Sequence, residues 1–331
     1  MKTRFALVAT VVAAAVLVAF TAVALAGARA PAQALPSKIT IAYQPGLGYA
    51  PLILMKQQRV IERRYPGTQV EWKVLASGTP ITNGIISGDI QIGAVGTGPF
   101  LVGWARGIEW KIIAPLNLGD LWLMARDPNI RTVGDLRGKR IATPTNTSIQ
   151  AVMLRKMAEV RLGNPKALDA GLLAMDHPDG MQGLLSGQID AHFTSPPFQF
   201  QEKVRGAHIV GRSYNYFGAH SFLVTVMTEK FYNEHRAFGR FFYNQVAAMH
   251  TLIKKNPDRV ARILQQDAGG IPTNRQFKQW LVNPALTWTI RPLGLMRTAA
   301  FMSRTGQLGG TKLPAGWKDL VFPPVQSQKG S

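Results

Sequence analysis

The chain has no cysteine among its 331 residues. That removes disulfides, thiolate nucleophiles, iron–sulfur clusters and thiolate metal sites together, and with them lipid attachment at an N-terminal cysteine. Acidic residues are scarce, 18 against 38 Lys and Arg, and few carboxylates cluster where paired acid–base chemistry needs them. Asp176 and Asp179 bracket His177, a grouping that reads as the polar start of a helix. The six histidines show no i,i+4 or HExxH spacing, so no metal site is expected. Neither a G-x-S-x-G elbow nor a G-x-x-x-x-G-K-S/T phosphate loop occurs, and Gly46-Leu47-Gly48 lacks the third glycine of a dinucleotide fingerprint. These absences argue against an enzyme, and no cofactor is expected. The formal charge of +20 raises nucleic acid, an anionic membrane surface or an anionic ligand as partners. The basic residues are scattered, without a long basic tail or an aromatic RNA-binding signature, so a nucleic-acid partner is not expected.

What is present begins with a leader. Lys2 and Arg4 precede an almost wholly apolar run, 5–25, and Ala24-Leu25-Ala26 offers a cleavage site before Gly27. A cleavable signal peptide over 1–26 is therefore expected; cleavage after Ala30, or retention as an anchor, stays open. Without a lipid-bearing cysteine, an exported chain of this kind is expected in a periplasm. Removing the signal leaves about 305 residues, a length that suits two domains. The charge becomes +18 once Lys2 and Arg4 leave.

The remaining sequence alternates strand and helix signals. Strands are expected at 38–44, 70–75, 90–95 and 110–115. Helices are expected at 50–65, from the Ser77-Gly78-Thr79-Pro80 start to Ser87-Gly88, and around 100–106. A second unit of the same kind runs through strands at 139–143, 171–175 and 189–194, with helices at 148–162 and 178–185. Such alternation predicts α/β architecture with largely parallel sheets. After a strongly β-prone run at 222–228, helices at 231–253 and 257–265 are expected to pack back onto the first unit. The two units share a phrase: Ser87-Gly88-Asp89-Ile90 then Pro99-Phe100, and Ser186-Gly187-Gln188-Ile189 then Pro197-Phe198. An offset of 99 positions at the serine and 98 at the Pro-Phe pair points to two related lobes.

The opening strand and bend 39–49, the 87–95 phrase, and the stretches 127–144 and 186–198 carry a resemblance. Its most specific part is Val133-Gly134-Asp135-Leu136-Arg137-Gly138-Lys139-Arg140-Ile141-Ala142. Over roughly 38–258 the chain resembles the nitrate/sulfonate/taurine-type substrate-binding proteins of ABC importers, and the stretch looks like their DL-x-GK-x-(I/V)-A passage into the second lobe. The resemblance implies a type II periplasmic-binding-protein fold, two lobes joined by a two-stranded hinge. Lobe 1 would comprise 38–124 and 223–331 and lobe 2 would comprise 127–220, with crossings near 125–127 and 219–222. It implies a monomer that captures a small organic or inorganic anion, sulfonate- or nitrate-like, by lobe closure and delivers it to a membrane permease.

The candidate ligand residues sit at helix starts and strand ends. Thr145-Asn146-Thr147-Ser148 supplies hydroxyl and amide groups at a helix start, where free backbone N–H groups favour an anion. Ser77-Gly78-Thr79 does the same in the other lobe, with Thr79 as the expected N-cap. Tyr43, Gln44 and Gly46 lead out of the first strand, and Thr97, Thr194 and Ser195 end the paired strands, where open α/β sheets place ligands. Trp122 and Tyr214 lie beside the expected crossings as candidate aromatic walls. His192, inside a strand, reads as a hydrogen-bonded structural residue. Relatives of the taurine and sulfonate kind often carry an acid before the proline of the second Pro-aromatic loop; here Ser195-Pro196-Pro197-Phe198 has none, which argues against an amine-bearing ligand such as taurine. An aromatic carboxylate or pyrimidine remains the alternative, and Tyr43, Tyr49, Trp122, Phe198, Tyr214 and Phe217 would then carry more of the binding.

Overall fold

The computed structural model describes residues 34–331. The signal-peptide reading for 1–26 lies outside them, and no helix among the described residues is long and apolar enough to cross a membrane.

The chain opens with β1 (Lys38–Tyr43), whose last five residues are all buried, as a central parallel strand requires. There follow α1 (Ala50–Gln57), β2 (Gln69–Val74), α2 (Gly78–Ser87), β3 (Ile92–Gly96), α3 (Thr97–Ala105) and the ten-residue β4 (Trp110–Gly119). The chain then builds β5 (Trp122–Ala125), β6 (Ile141–Thr143), α4 (Ile149–Leu162), β7 (Leu172–Ala174), α5 (His177–Ser186), β8 (Ala191–Thr194), α6 (Phe198–Val204) and β9 (His208–Arg212). It closes with β10 (Ser221–Thr228), α7 (Arg236–Lys255), α8 (Pro257–Asp267), α9 (Asn274–Leu281), β11 (Leu286–Thr287) and α10 (Leu295–Arg304).

Two sheets result. One runs β11-β4-β10-β3-β1-β2, with β1 parallel to β2 and β3, and β10 antiparallel to β3 and β4. The other runs β7-β6-β8-β5-β9, with β6 parallel to β7 and β8, and β5 antiparallel to β8 and β9. The shared phrase is the same structure in both sheets. Gly88 and Gly187 each end a helix in the left-handed region, at φ 85° and 80°, where a side chain would be strained. A short buried strand follows each, and Pro99 and Pro197 lie at the start of the next helix rather than in a loop.

The first crossing differs from its expected place at 125–127. Trp122–Ala125 is four buried residues, and their ladder partners are β8 and β9, so the chain has already changed sheet at Asp120–Leu121. Hydrogen bonds pin the two crossings to each other. Leu121 N–H donates to Ser213 Oγ at 2.9 Å, Ser213 N–H donates to Leu121 O at 2.9 Å, and Tyr214 N–H donates to Asp120 Oδ1 at 3.1 Å.

The last third returns to the first sheet. Phe238, Phe242, Val246, Met249 and Ile253 recur every three or four residues along α7 and are buried, a stripe that rests on β4 and α1. Truncating Phe242, fully buried, would cost about 3–5 kcal/mol. The helix expected at 231–253 is broken at His235, whose backbone leaves the helical region (φ −129°, ψ 47°).

Candidate ligand-binding cleft

The starts of four helices meet between the two sheets. From the first sheet, the turn after β1 brings Gln44 and Gly46, α2 begins at Gly78, and α3 begins after Gly96. From the second, α4 begins after Ser148 and α5 at His177; all of these line one chamber. The first N–H groups of a helix have no partner inside it, so the walls present donors and the positive ends of helix dipoles. Among the described residues, no carboxylate, lysine or arginine lines the chamber. Its free space for the centres of water-sized molecules is about 40 Å³. At about 10–15 Å³ for each water, it holds roughly three waters or one small oxyanion head group.

The chamber is shut on two sides by contacts between the lobes. Leu47 N–H, after β1, donates to Pro196 O, after β8, at 3.1 Å. On the other side Gly98 lies so close to the start of α4 that a Cβ there would sit 2.6 Å from Thr147 O and 3.0 Å from Ile149 N. Only glycine allows α3 to approach that backbone.

Of the residues expected at the site, Gln44, Gly46, Gly78, Thr145, Ser148 and Ser195 line the chamber. Gln44 is held by its Nε2–H donating to Ala94 O at 3.2 Å. Ser148 spends its hydroxyl on the helix: Oγ accepts from Ala151 N–H at 3.2 Å and donates to Thr145 O at 2.7 Å. What it offers a ligand is the helix start it stabilises. Thr147 Oγ1 lies 3.3 Å from Thr145 Oγ1, and Asn146 O accepts from Arg155 Nη1–H at 2.8 Å, so neither residue faces the chamber itself.

Other expected residues lie elsewhere. Ser77, not Thr79, is the N-cap residue of α2, and it makes no side-chain cap bond; Thr79 is exposed. Thr97 Oγ1 donates to Ser221 O at 3.0 Å, which ties α3 to the start of β10. Thr194 is fully buried. Trp122 packs edge-on against Phe200 at 5.4 Å beneath the Arg212 guanidinium, and Tyr214 packs edge-on against His220 at 5.5 Å. Both tryptophan and tyrosine stiffen the crossings instead of walling the cleft. Tyr43 lies beyond the Gln44–Leu47 turn, in an apolar recess of about 300 Å³ that includes Phe198, Leu264 and Phe277.

Gln150 and His177 also line the chamber and were not expected there. The internal repeat carries the signal for His177. It stands 99 positions after Gly78, and both open the equivalent helix after an N-cap residue, Ser77 and Asp176. Behind His177 runs a buried chain: Gln150 Nε2 lies 3.0 Å from His177 Nε2, His177 Nδ1 lies 3.1 Å from His192 Nε2, and His192 Nδ1 lies 2.6 Å from Glu202 Oε1. Burial holds His192 down at about 3 and pushes Glu202 up to about 9. Burial, with His192 alongside, holds His177 well below the usual histidine range. Both imidazoles are therefore uncharged at neutral pH.

The profile of the NMT1-like family matches residues 32–265. The chain belongs to the NMT1-like family. Among its curated relatives is a putative aliphatic sulfonates-binding protein of Escherichia coli K12, 25% identical over 53% of this chain and 54% of the relative. A taurine-binding periplasmic protein of the same organism is 24% identical over 68% of this chain and 69% of the relative. The NMT1-like chain thus spans about half the length of the first of these. Among solved structures, the alkanesulfonate-binding protein of Xanthomonas axonopodis pv. citri bound to MOPS superimposes with a TM-score of 0.72 at 20% identity, covering 87% of this chain and 98% of that one. A ligand-binding component of an ABC-type import system from Staphylococcus aureus, solved with zinc bound, gives 0.70 at 12% identity, covering 88% and 98%. The fold of this NMT1-like chain is the two-lobed periplasmic-binding fold. Among its described residues no group of three or more His, Asp or Glu stands together to hold a metal.

Proposed function

We propose that this chain is the solute-binding component of an ABC importer, a monomeric clamp that takes a small oxyanion between its lobes. The observation that carries this reading is the chamber, where four helix starts converge and no carboxylate intrudes. Backbone N–H groups aligned with helix dipoles hold an anion without a formal positive charge. Lobe 1 is the β1–β4 segment with β10 and everything after it, and lobe 2 runs from β5 to β9. Ligand binds one lobe, and closure completes the site and shifts the population to the closed form, which the permease recognises. The leader at 1–26 sends the chain to the periplasm. The lack of a lining carboxylate disfavours an amine-bearing sulfonate such as taurine.

The apolar recess behind Tyr43 favours a second reading, in which the ligand is an aromatic carboxylate with its ring against Phe198 and Phe277. Trp122 and Tyr214 take no part in either reading.

A thermal-shift screen of residues 27–331 with nitrate, bicarbonate, methanesulfonate, taurine, benzoate and a pyrimidine separates them. A ligand at a hundred times its dissociation constant adds about 2.7 kcal/mol, a shift of several degrees. A shift with nitrate or methanesulfonate and none with taurine supports the anion clamp. A shift with benzoate alone moves the ligand to the recess, and a shift with none of them rejects both readings.

A further inference from the structure

Glu202 reaches neither the chamber nor solvent. It is fully buried on α6, its Oε2 has no hydrogen-bond partner, and its Oε1 meets a fully buried histidine. The chain that starts there ends on the chamber wall at His177 and Gln150. We propose that Glu202 is a positioning residue that sets the hydrogen-bonding polarity of this wall through His192 and His177, so that the wall offers N–H donors to an anion only while Glu202 holds its proton. The inference rests on the anion reading of the cleft.

The argument is one of donors and acceptors. A neutral imidazole has one of each, so two imidazoles in series between a carboxyl and an amide have two consistent arrangements. In the first, Glu202 O–H donates to His192 Nδ1, His192 Nε2–H donates to His177 Nδ1, and His177 Nε2–H donates to the amide oxygen of Gln150. The NH₂ end of Gln150 is then turned away from His177, toward the chamber. In the second, the Glu202 carboxylate accepts from His192 Nδ1–H, His192 Nε2 accepts from His177 Nδ1–H, and His177 Nε2 accepts from the Gln150 NH₂. The Gln150 carbonyl then faces the chamber, where it repels an anion. The two ends of the amide are isosteric, so a half-turn of one bond exchanges the arrangements at Gln150.

The surroundings favour the first. An ionised Glu202 would leave one oxygen of a buried charge without a partner, which costs far more than a buried neutral acid. Among the described residues no cation faces the chain to offset that charge. On α6, Lys203 lies over the Trp122 ring and Arg205 Nη1 points to Met181 Sδ. On α5, Asp176 caps its own helix and Asp179 is exposed. On α4, Arg155 is paired with Asp169. The strand neighbours of His192 are Met124 and Ala142, which do not titrate. Gly180 packs so closely that a Cβ there would sit 2.7 Å from His192 Nε2, which holds the ring in line. Burial keeps Glu202 protonated up to about pH 9.

Ring ¹⁵N shifts of His177 and His192 in the ligand-free chain report the tautomers directly, and titrations with nitrate and methanesulfonate, ionised throughout pH 6–10, report the consequence. The expected result is Nε2–H on both rings at pH 7, changing to Nδ1–H above about pH 9, with anion affinity then falling about tenfold per pH unit. Glu202→Gln retains a donor toward His192 Nδ1, so it keeps the Nε2–H tautomers and its affinity up to pH 10. Nδ1–H rings at pH 7, or an equal alkaline loss of affinity in wild type and Glu202→Gln, overturns the inference. If neither anion binds at any pH, the tautomers still decide the chain, and the failure belongs to the anion reading.

Discussion

Replacing Gly98 by alanine separates closure from folding. A Cβ at this position meets Thr147 O at 2.6 Å, Ile149 N at 3.0 Å and Ser148 C at 3.1 Å, all backbone atoms of the other lobe. Ordinary contact begins at 3.4 Å, so the start of α4 must retreat by about 0.8 Å. All three are backbone atoms at the start of a helix, so no flexible side chain can swing away to relieve the contact. Overpacking of this kind costs about 1–3 kcal/mol, which lowers the closed population, and with it the affinity, by about 5- to 150-fold. The open form feels no clash. There alanine is the better residue inside α3, by up to about 1 kcal/mol. The ligand-free melting temperature should therefore hold steady or rise slightly, while calorimetric Kd for the best anion of the screen weakens at least fivefold. A Kd within twofold of wild type would refute the reasoning. A drop of several degrees in the ligand-free melting temperature would also count against it, because it would mean that no open form relieves the clash.

Ser148→Ala removes the Oγ cap of α4, so it should cost about 1 kcal/mol of stability as well as affinity; Thr145→Ala should weaken binding with a smaller change in melting temperature. Trp122→Ala should cost about 3–5 kcal/mol and leave the affinity of the remaining folded protein unchanged, since Trp122 borders no part of the chamber. Stability should peak near pH 7, where the protons that the four histidines take up in the unfolded chain match the one that the folded Glu202 retains. Below that pH the unfolded chain takes up protons at His177, His192, His220 and His250, which burial holds neutral in the fold. The protonated Glu202 offsets one of these four, so the net uptake of about three protons gives a fall of about 4 kcal/mol per pH unit between pH 6 and 4.5. Above the peak the sign reverses: the folded chain keeps the Glu202 proton that the unfolded chain loses, and stability declines by about 1.4 kcal/mol per pH unit up to about pH 9. Denaturant unfolding across pH 4.5–9 tests both limbs: Glu202→Gln should flatten the alkaline one and, with the offsetting proton gone, steepen the acid one to about 5 kcal/mol per pH unit.

The parts of the fold that local physics dictates were readable from the residues. Apolar runs such as Ile39–Tyr43 and Phe222–Met227 became buried strands, and Ser-Gly ahead of a short apolar stretch marked both helix ends at Gly88 and Gly187. The crossing at Asp120–Leu121 was not readable, because Trp122–Ala125 is as apolar as the strand before it and only pairing reveals which sheet it joins. The helix start at Ser148 could be placed from caps and turn chemistry; that of α2 was expected with Thr79 as its cap, whereas Ser77 holds the N-cap position without a side-chain bond. Whether a hydroxyl serves the ligand or the helix depends on its bond, and Ser148 and Thr97 both spend theirs internally. Trp122 and Tyr214 were assigned to the cleft by their nearness to the hinge along the chain, whereas packing turned both toward it. His177 was hidden by its two flanking aspartates, although the 99-residue repeat set it opposite Gly78. The link from His192 to Glu202, ten residues along, depends on β8 and α6 folding against each other, which no local pattern encodes.

Calorimetric titration of methanesulfonate beside methanesulfonamide, its uncharged near-isostere, at low salt and pH 7, tests the central claim most directly. A chamber walled by helix starts and free of carboxylates predicts that the anion binds at least a hundredfold more tightly. Equal binding of the two, or tighter binding of the amide, would contradict an anion-holding clamp.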